Sequence, residues 1–271
     1  MKMFLLCCLG LAWAGMVKAE DLAIVDQRDF KASPNACTPA SVLNLLKFSG
    51  PEYQAVYEKE LGITDERRLN RLIDRYYRRR KSVLYPSLNR WGVHGIHSAD
   101  AVMGMNELAE DFGLKPFSAS YLDRKEGELV QDHIERCFEM IERSLKRNVT
   151  PILSIRSYVV RHREENNFEP LWEMGRSHSL VIHSIKSGPD MGGFELVALD
   201  PWEGKEVELY VHREANGQPF NALVGIQETG TWKVGRPFLL VEAPGVSSVQ
   251  PRNLKWSDRF IITANFLIGD F

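Results

Sequence analysis

The sequence predicts an α+β protein, with an N-terminal helical lobe over about residues 35–148 packed on a mostly antiparallel sheet lobe over about 149–271. Two observations carry this. Up to about residue 148 apolar residues recur mostly at helical spacing, whereas from Val149 onward they fall into short strand-like blocks divided by turn signals such as Gly188-Pro189 and Gly192-Gly193. Helices first and strands second is the pattern of segregated layers. A third observation sets the domain count: nothing between the halves has the composition of a linker, so residues 20–271 form a single domain. No fixed-period repeat or low-complexity tract interrupts it.

Taken in order, Lys2 precedes an uncharged run over 3–17, then Val17-Lys18-Ala19 and Glu20-Asp21. This is a short basic region, a 15-residue apolar core and a small residue at a cleavage point, the pattern of a secretory signal peptide over 1–19 cut before Glu20. The run is short for a membrane span and no later stretch is a better one. The alternatives are an uncleaved anchor and, less suited because Cys7 and Cys8 lie inside the apolar run, a lipoprotein anchor. Cleavage makes the protein secreted or periplasmic, with no stable membrane insertion afterwards. It also removes Lys2 and Lys18 and moves the formal charge from −2 to −4, which gives no electrostatic reason to bind nucleic acid.

Residues 21–30, including Gln27, are a short apolar-then-polar lead-in. In Asn35-Ala36-Cys37-Thr38-Pro39-Ala40-Ser41, Thr38 is placed as N-cap and Pro39 at the first helical position, with Val42, Leu43, Leu45 and Leu46 as the buried face. Ser49-Gly50-Pro51 ends that helix. Residues 52–81 are predicted helical and charged, and the basic run over 75–81 reads as a solvated face more readily than as an anion site. Ser98 is predicted to cap a helix over 99–112 that Gly113 terminates. A short strand over 118–122 precedes a helix over 131–147, with Ile134, Cys137, Phe138, Ile141 and Leu145 at core spacing. Strands are predicted over 150–155, 179–185, 194–199, 206–211, 238–242 and 260–266.

The chemistry gathers at three positions. A cysteine at a helix start, Cys37, meets unpaired N–H groups and the positive end of the helix dipole, which favour thiolate. A nucleophile needs a base, and the base needs an orienting group. His178 lies in Gly175-Arg176-Ser177-His178-Ser179-Leu180-Val181-Ile182-His183, at the expected mouth of a strand. Asp200 ends the next strand, in Phe194-Glu195-Leu196-Val197-Ala198-Leu199-Asp200-Pro201-Trp202, so a hairpin brings it to the same sheet end. His183 is five residues from His178, an odd offset that points it to the other face, where it reads as packing. Cys137 reads as a core position; a Cys37–Cys137 disulfide is the alternative that would bury the site. His94 and His97 in a glycine-bearing loop lack the wider ligand frame of a metal site, and no cofactor fingerprint is present.

Gln27, the Cys37-Thr38-Pro39-Ala40-Ser41 helix start, the Ser177–His183 strand and Ala198-Leu199-Asp200-Pro201-Trp202 together resemble the papain-like cysteine peptidase superfamily. The nearest branch is the bacterial peptidases related to those that mature double-glycine bacteriocins. The likeness covers two windows, roughly 24–46 and 175–203. It implies a papain-like fold, Cys37 as nucleophile, His178 as base and Asp200 as its orienting residue. It also implies Gln27 as an oxyanion-hole donor beside the Cys37 backbone N–H. Thr38 departs from the family's usual Gly after the nucleophile, and His183 stands where a Gly is usual.

The expected function is therefore an exported thiol hydrolase cleaving peptide or isopeptide bonds of a peptide or protein substrate through a Cys-His-Asp triad. Acyl transfer to an amine, transglutaminase-like, uses the same residues and is one alternative. A catalytically inactive papain-like binding protein, motivated by Thr38 and His183, is another. No cofactor or metal is expected.

Overall fold

The computed structural model describes residues 23–32, 35–93, 95–162, 170–213, 223–225, 232–234, 238–251 and 259–271. The expected signal peptide, with Cys7 and Cys8, lies outside these residues, as does His94. No helix among the described residues is long and apolar enough to cross a membrane.

The helices are α1 (Cys37–Phe48), α2 (Pro51–Ala55), α3 (Asp65–Leu72), α4 (Ser98–Phe112) and α5 (Val130–Lys146). α1 begins at Cys37 itself, preceded by Ala36 with no side-chain cap, so Thr38 is not the N-cap. Its hydroxyl is engaged elsewhere, in a 3.2 Å hydrogen bond shared with the Ser179 hydroxyl. α4 likewise starts at Ser98 with His97 in the cap position, and ends as expected at Gly113, which takes the left-handed conformation at φ +65°.

The charged stretch predicted over 52–81 is helical but broken. α2 widens into a π turn over Val56–Glu60, the chain turns at Gly62, and Thr64 restarts it by accepting the Arg67 N–H at 3.3 Å. Of its basic run, Arg75 pairs with Asp111 at 2.8 Å and Arg78 with Asp74 at 2.5 Å, while Tyr76 and Tyr77 are fully buried.

The strands are β1 (Ser118–Tyr121), β2 (Ile152–His162), β3 (Pro170–Ser187), β4 (Gly193–Asp200), β5 (Lys205–His212), β6 (Leu223–Gly225), β7 (Trp232–Val234), β8 (Leu240–Glu242) and β9 (Phe260–Gly269). β6 and β7 form a separate two-stranded ladder. The others lie in the order β1-β9-β2-β3-β4-β5-β8, all antiparallel, and β8 pairs back onto β9 at Leu240 and Thr263. Six strands therefore close into an antiparallel β-barrel.

This closure corrects the predicted papain-like arrangement of a helical lobe on a sheet lobe. A closed sheet folds its inner face onto itself, and α5 joins that core. Ile134, Cys137, Phe138 and Ile141 of α5 pack with Leu153, Ile155, Leu180 and Ile182 inside the barrel cluster. A helix on the N-terminal side of residue 149 thus belongs to the barrel core. A second core joins α1 and its helical neighbours to the outer face of the strands, through Ile152, Val181, Phe266 and Ile268. Alternate residues of β2, Ile152 and Leu153, serve different cores, as the two-residue period of a strand requires.

Gly104 shows how tight the helical core is. A Cβ there would overlap the Tyr77 ring, and Tyr77 has no room to retreat. Gly104→Ala is therefore expected to destabilise the protein by about 1–3 kcal/mol, despite the better helix propensity of alanine. A lowered denaturant midpoint with an unchanged slope is the expected result.

Candidate active site

The segment before α1 is strapped along that helix. Lys47 Nζ donates to Ala23 O at 2.5 Å, and Asn44 exchanges hydrogen bonds with Val25, accepting its N–H at 2.8 Å and donating to its carbonyl at 3.2 Å. The strap ends on a 3-10 turn, Gln27–Asp29, whose first N–H donates to Pro201 O at 2.6 Å. The same contact ties the lead-in to the residue after Asp200.

β3 is longer than expected, so His178 sits mid-strand, opposite Ile155 of β2, not at the strand mouth. The β3–β4 ladder stops at Val181 and Leu199, leaving His178 and Asp200 just beyond it. His178 Nε2–H donates to Asp200 Oδ1 at 2.7 Å, and the Trp202 N–H donates to that same oxygen at 2.7 Å. Both side chains are buried, Asp200 completely. With Nε2 committed to Asp200, Nδ1 is the imidazole nitrogen left for Cys37.

Burial pushes the Cys37 thiol up, but the His178 imidazole beside it, the Ser179 backbone and the Thr38 hydroxyl outweigh this and hold it below the ordinary thiol range. Burial likewise pulls the His178 imidazole down, and Asp200 and Cys37 together raise it to about 9. Each group stabilises the charged form of the other, so the pair is read as thiolate and imidazolium that titrate together. Cys137, by contrast, is pushed up to about 12 by burial. Both thiols are free of any disulfide.

Cys37 and His178 open on a groove of about 500 Å³. One wall is the outer face of the barrel, with Ile152, Ser154 and Arg156 of β2; the other includes Leu84 and His97 from the loop before α4. Gln27 is buried, with its Oε1 lacking a hydrogen-bond partner, but it is not among the residues lining this groove. Its position is at the Asp200–Trp202 turn. His183 falls in a bulge of β3, with its ring edge-on to Phe48 at 5.8 Å. That is the far end of α1, roughly 16 Å along the helix axis from Cys37. His97 packs its ring against Tyr85, and among the described residues no three His, Cys, Asp or Glu side chains gather as a metal site.

Two contributors were not singled out from sequence. Ser179 anchors α1 through both its hydroxyl and its carbonyl, and Trp202 orients Asp200 through its backbone; both lay inside motifs already quoted. Arg156, a groove residue also missed, carried no signal, lying just past the strand predicted over 150–155.

At pH 7, iodoacetamide is expected to modify Cys37 at least tenfold faster than Cys137. The sign follows from the pair: as pH falls through the lowered thiol value Cys37 is protonated, and as it rises through about 9 the imidazolium is lost. His178→Ala removes the largest of the influences that oppose burial, raising the thiol and slowing alkylation by tenfold or more at pH 7; an unchanged rate–pH profile would refute the pairing. No protein-family model, curated protein or solved structure matches the chain.

Proposed function

We propose that the chain is a thiol hydrolase of peptide or isopeptide bonds, related in its chemistry to the cysteine peptidases its motifs resemble. The observation that carries this is the Cys37 thiol, lowered against its own burial by an imidazole that Asp200 holds in one orientation at 2.7 Å, on the floor of an open groove. A structural cysteine has no need of such an arrangement, and perturbed pairs of this kind cluster at functional sites.

In this reading the Cys37 thiolate attacks the carbonyl carbon. The oxyanion meets the Cys37 backbone N–H, which lies in the first turn of α1, where no intrahelical acceptor exists. The imidazolium gives its proton to the leaving amine, so the amine departs neutral and the acyl group stays on sulfur. A water then loses a proton to His178 as it attacks the thioester, which releases the acid and restores the pair. Gln27 contributes its backbone hold on Pro201, which fixes the turn that presents Asp200. The expected signal peptide adds the proposal that this chemistry runs outside the cytoplasm.

Of the two features that motivate an inactive binding protein, His183 lies at the far end of α1 from Cys37, while Thr38 lines the groove with its hydroxyl bonded to Ser179.

Incubation with a defined peptide mixture, read by mass spectrometry, tests the reading. Cys37→Ala is expected to abolish product formation and Cys137→Ser to preserve it. Asp200→Asn should lower kcat by about two orders of magnitude or more with the fold intact. Equal turnover by wild type and Cys37→Ala would sink the proposal. Added glycinamide appearing in covalent adducts would move it from hydrolysis to acyl transfer.

A further inference from the structure

Arg156 stands apart from the other well-covered arginines. Arg90 pairs with Glu107 at 2.9 Å, Arg68 with Asp65 at 2.8 Å and Arg136 with Glu128 at 2.6 Å. Arg156 is half-buried on the outer face of β2, between the Ser177 and Thr263 registers, and its Nε is buried without a hydrogen-bond partner. Among the described residues it has no carboxylate partner. A guanidinium carries five donors and keeps its charge, so leaving a buried N–H unpaired costs free energy that a bound acceptor removes.

Where Arg156 sits gives the vacancy a purpose. It lines the same groove as Cys37 and His178, and its own cross-strand partner, Ser177, lines that groove too. No Asp or Glu lines that groove among the described residues, although acidic residues outnumber basic ones in the whole chain, 36 to 34. Beside the Cys37–His178 pair, the described lining therefore carries one guanidinium and no carboxylate, against the sign of the protein as a whole. Shared fork geometry makes a carboxylate the natural bidentate partner.

We propose that Arg156 is a specificity-determining residue that binds a carboxylate of the substrate close to the carbonyl attacked by Cys37. The inference rests on the hydrolase reading for the word substrate, but the anion preference is measurable without it. The carboxylate comes either from an acidic side chain or from a free chain end, and the two offer the same two oxygens.

Iodoacetate and iodoacetamide are the probes, because they alkylate the same sulfur and differ in carrying a carboxylate or a neutral amide. On the full protein carrying Cys137→Ser, the ratio of iodoacetate to iodoacetamide rates at Cys37 is expected to exceed that of free cysteine. In Arg156→Gln the ratio should fall about tenfold, as the loss of one charge near a partly covered site implies, while the iodoacetamide rate stays within about twofold. Arg156→Lys should restore part of it. Should Arg156→Gln fold poorly, the wild-type iodoacetate rate is expected to fall several-fold as salt screens the groove, with the iodoacetamide rate flat. A ratio independent of Arg156, or of salt, overturns the proposal. Slow alkylation by both reagents with the Arg156 dependence intact would instead remove the hydrolase reading and leave this one standing. Protection of Cys37 by acetyl-Ala-Glu-Ala-amide assigns the side-chain source, and protection by acetyl-Ala-Ala-Ala with a free carboxyl assigns the chain end. Equal protection by acetyl-Ala-Gln-Ala-amide counts against both.

Discussion

The Ser41 hydroxyl donates to the Ser179 carbonyl at 2.9 Å, and one turn earlier Thr38 shares a hydrogen bond with the Ser179 hydroxyl. At the other end of α1, the Ser49 hydroxyl meets the Thr150 hydroxyl at 2.9 Å and accepts the Thr150 N–H at 3.0 Å. α1 is buried along nearly its whole length, and a helix surrounded by apolar contacts has little to stop it sliding or rotating. Directional bonds to β3 and to Thr150, just before β2, supply that restraint. Because the groups are buried, removing one partner leaves the other unsatisfied, at about 1–3 kcal/mol. The position of Cys37 against His178 follows from these pins: Ser179, which holds the helix, is the residue next to His178.

Burial alone works against the site. It raises the thiol and lowers the imidazole, which together favour the neutral pair. The fold reverses this with fixed donors and acceptors. Asp200 Oδ1 takes the imidazole N–H while its orientation is set by the Trp202 N–H, and the loop carrying both is bonded to the Gln27 turn. A buried ion pair adds little stability against an apolar replacement of the same volume. The charged pair is therefore held by these directional bonds and not by any gain in stability over an apolar pair.

Much of this was legible locally. The cysteine at the head of an apolar helix, the histidine in an apolar strand and the aspartate ending the next strand each follow from short-range patterns, and the hairpin between the last two needs only a turn. Barrel closure was not legible, because it turns on one long-range pairing, Leu240 with Thr263, across strands that look alike in sequence. The same blindness hid the allegiance of α5, whose amphipathic pattern shows that it packs on something but not on which core. Thr38 misled for a related reason. A threonine beside a helix start normally caps it, and only the approach of Ser179, 141 residues away, redirects its hydroxyl. Gln27 was found by its motif, yet its place beside Pro201 depends on how the strap lies along α1.

The barrel and the site divide one strand between them. Along β2, Leu153 and Ile155 point into the barrel core, while Ile152, Ser154 and Arg156 face the groove. A slip of one residue would exchange the two sets, driving a serine and an arginine into the core and exposing two aliphatic side chains. Register is therefore held strongly by burial, and the groove inherits its precision from the core behind it. Bulges flank the site on this strand, between Ser154 and Ile155 toward β9 and between Arg156 and Tyr158 toward β3. Bulges bend a strand and re-aim its side chains, which is the means by which a closed barrel turns a few outward residues toward a helix start. A partly polar wall, Ser154 and Arg156 beside the buried Ile152, is thereby built onto the outer face of the barrel.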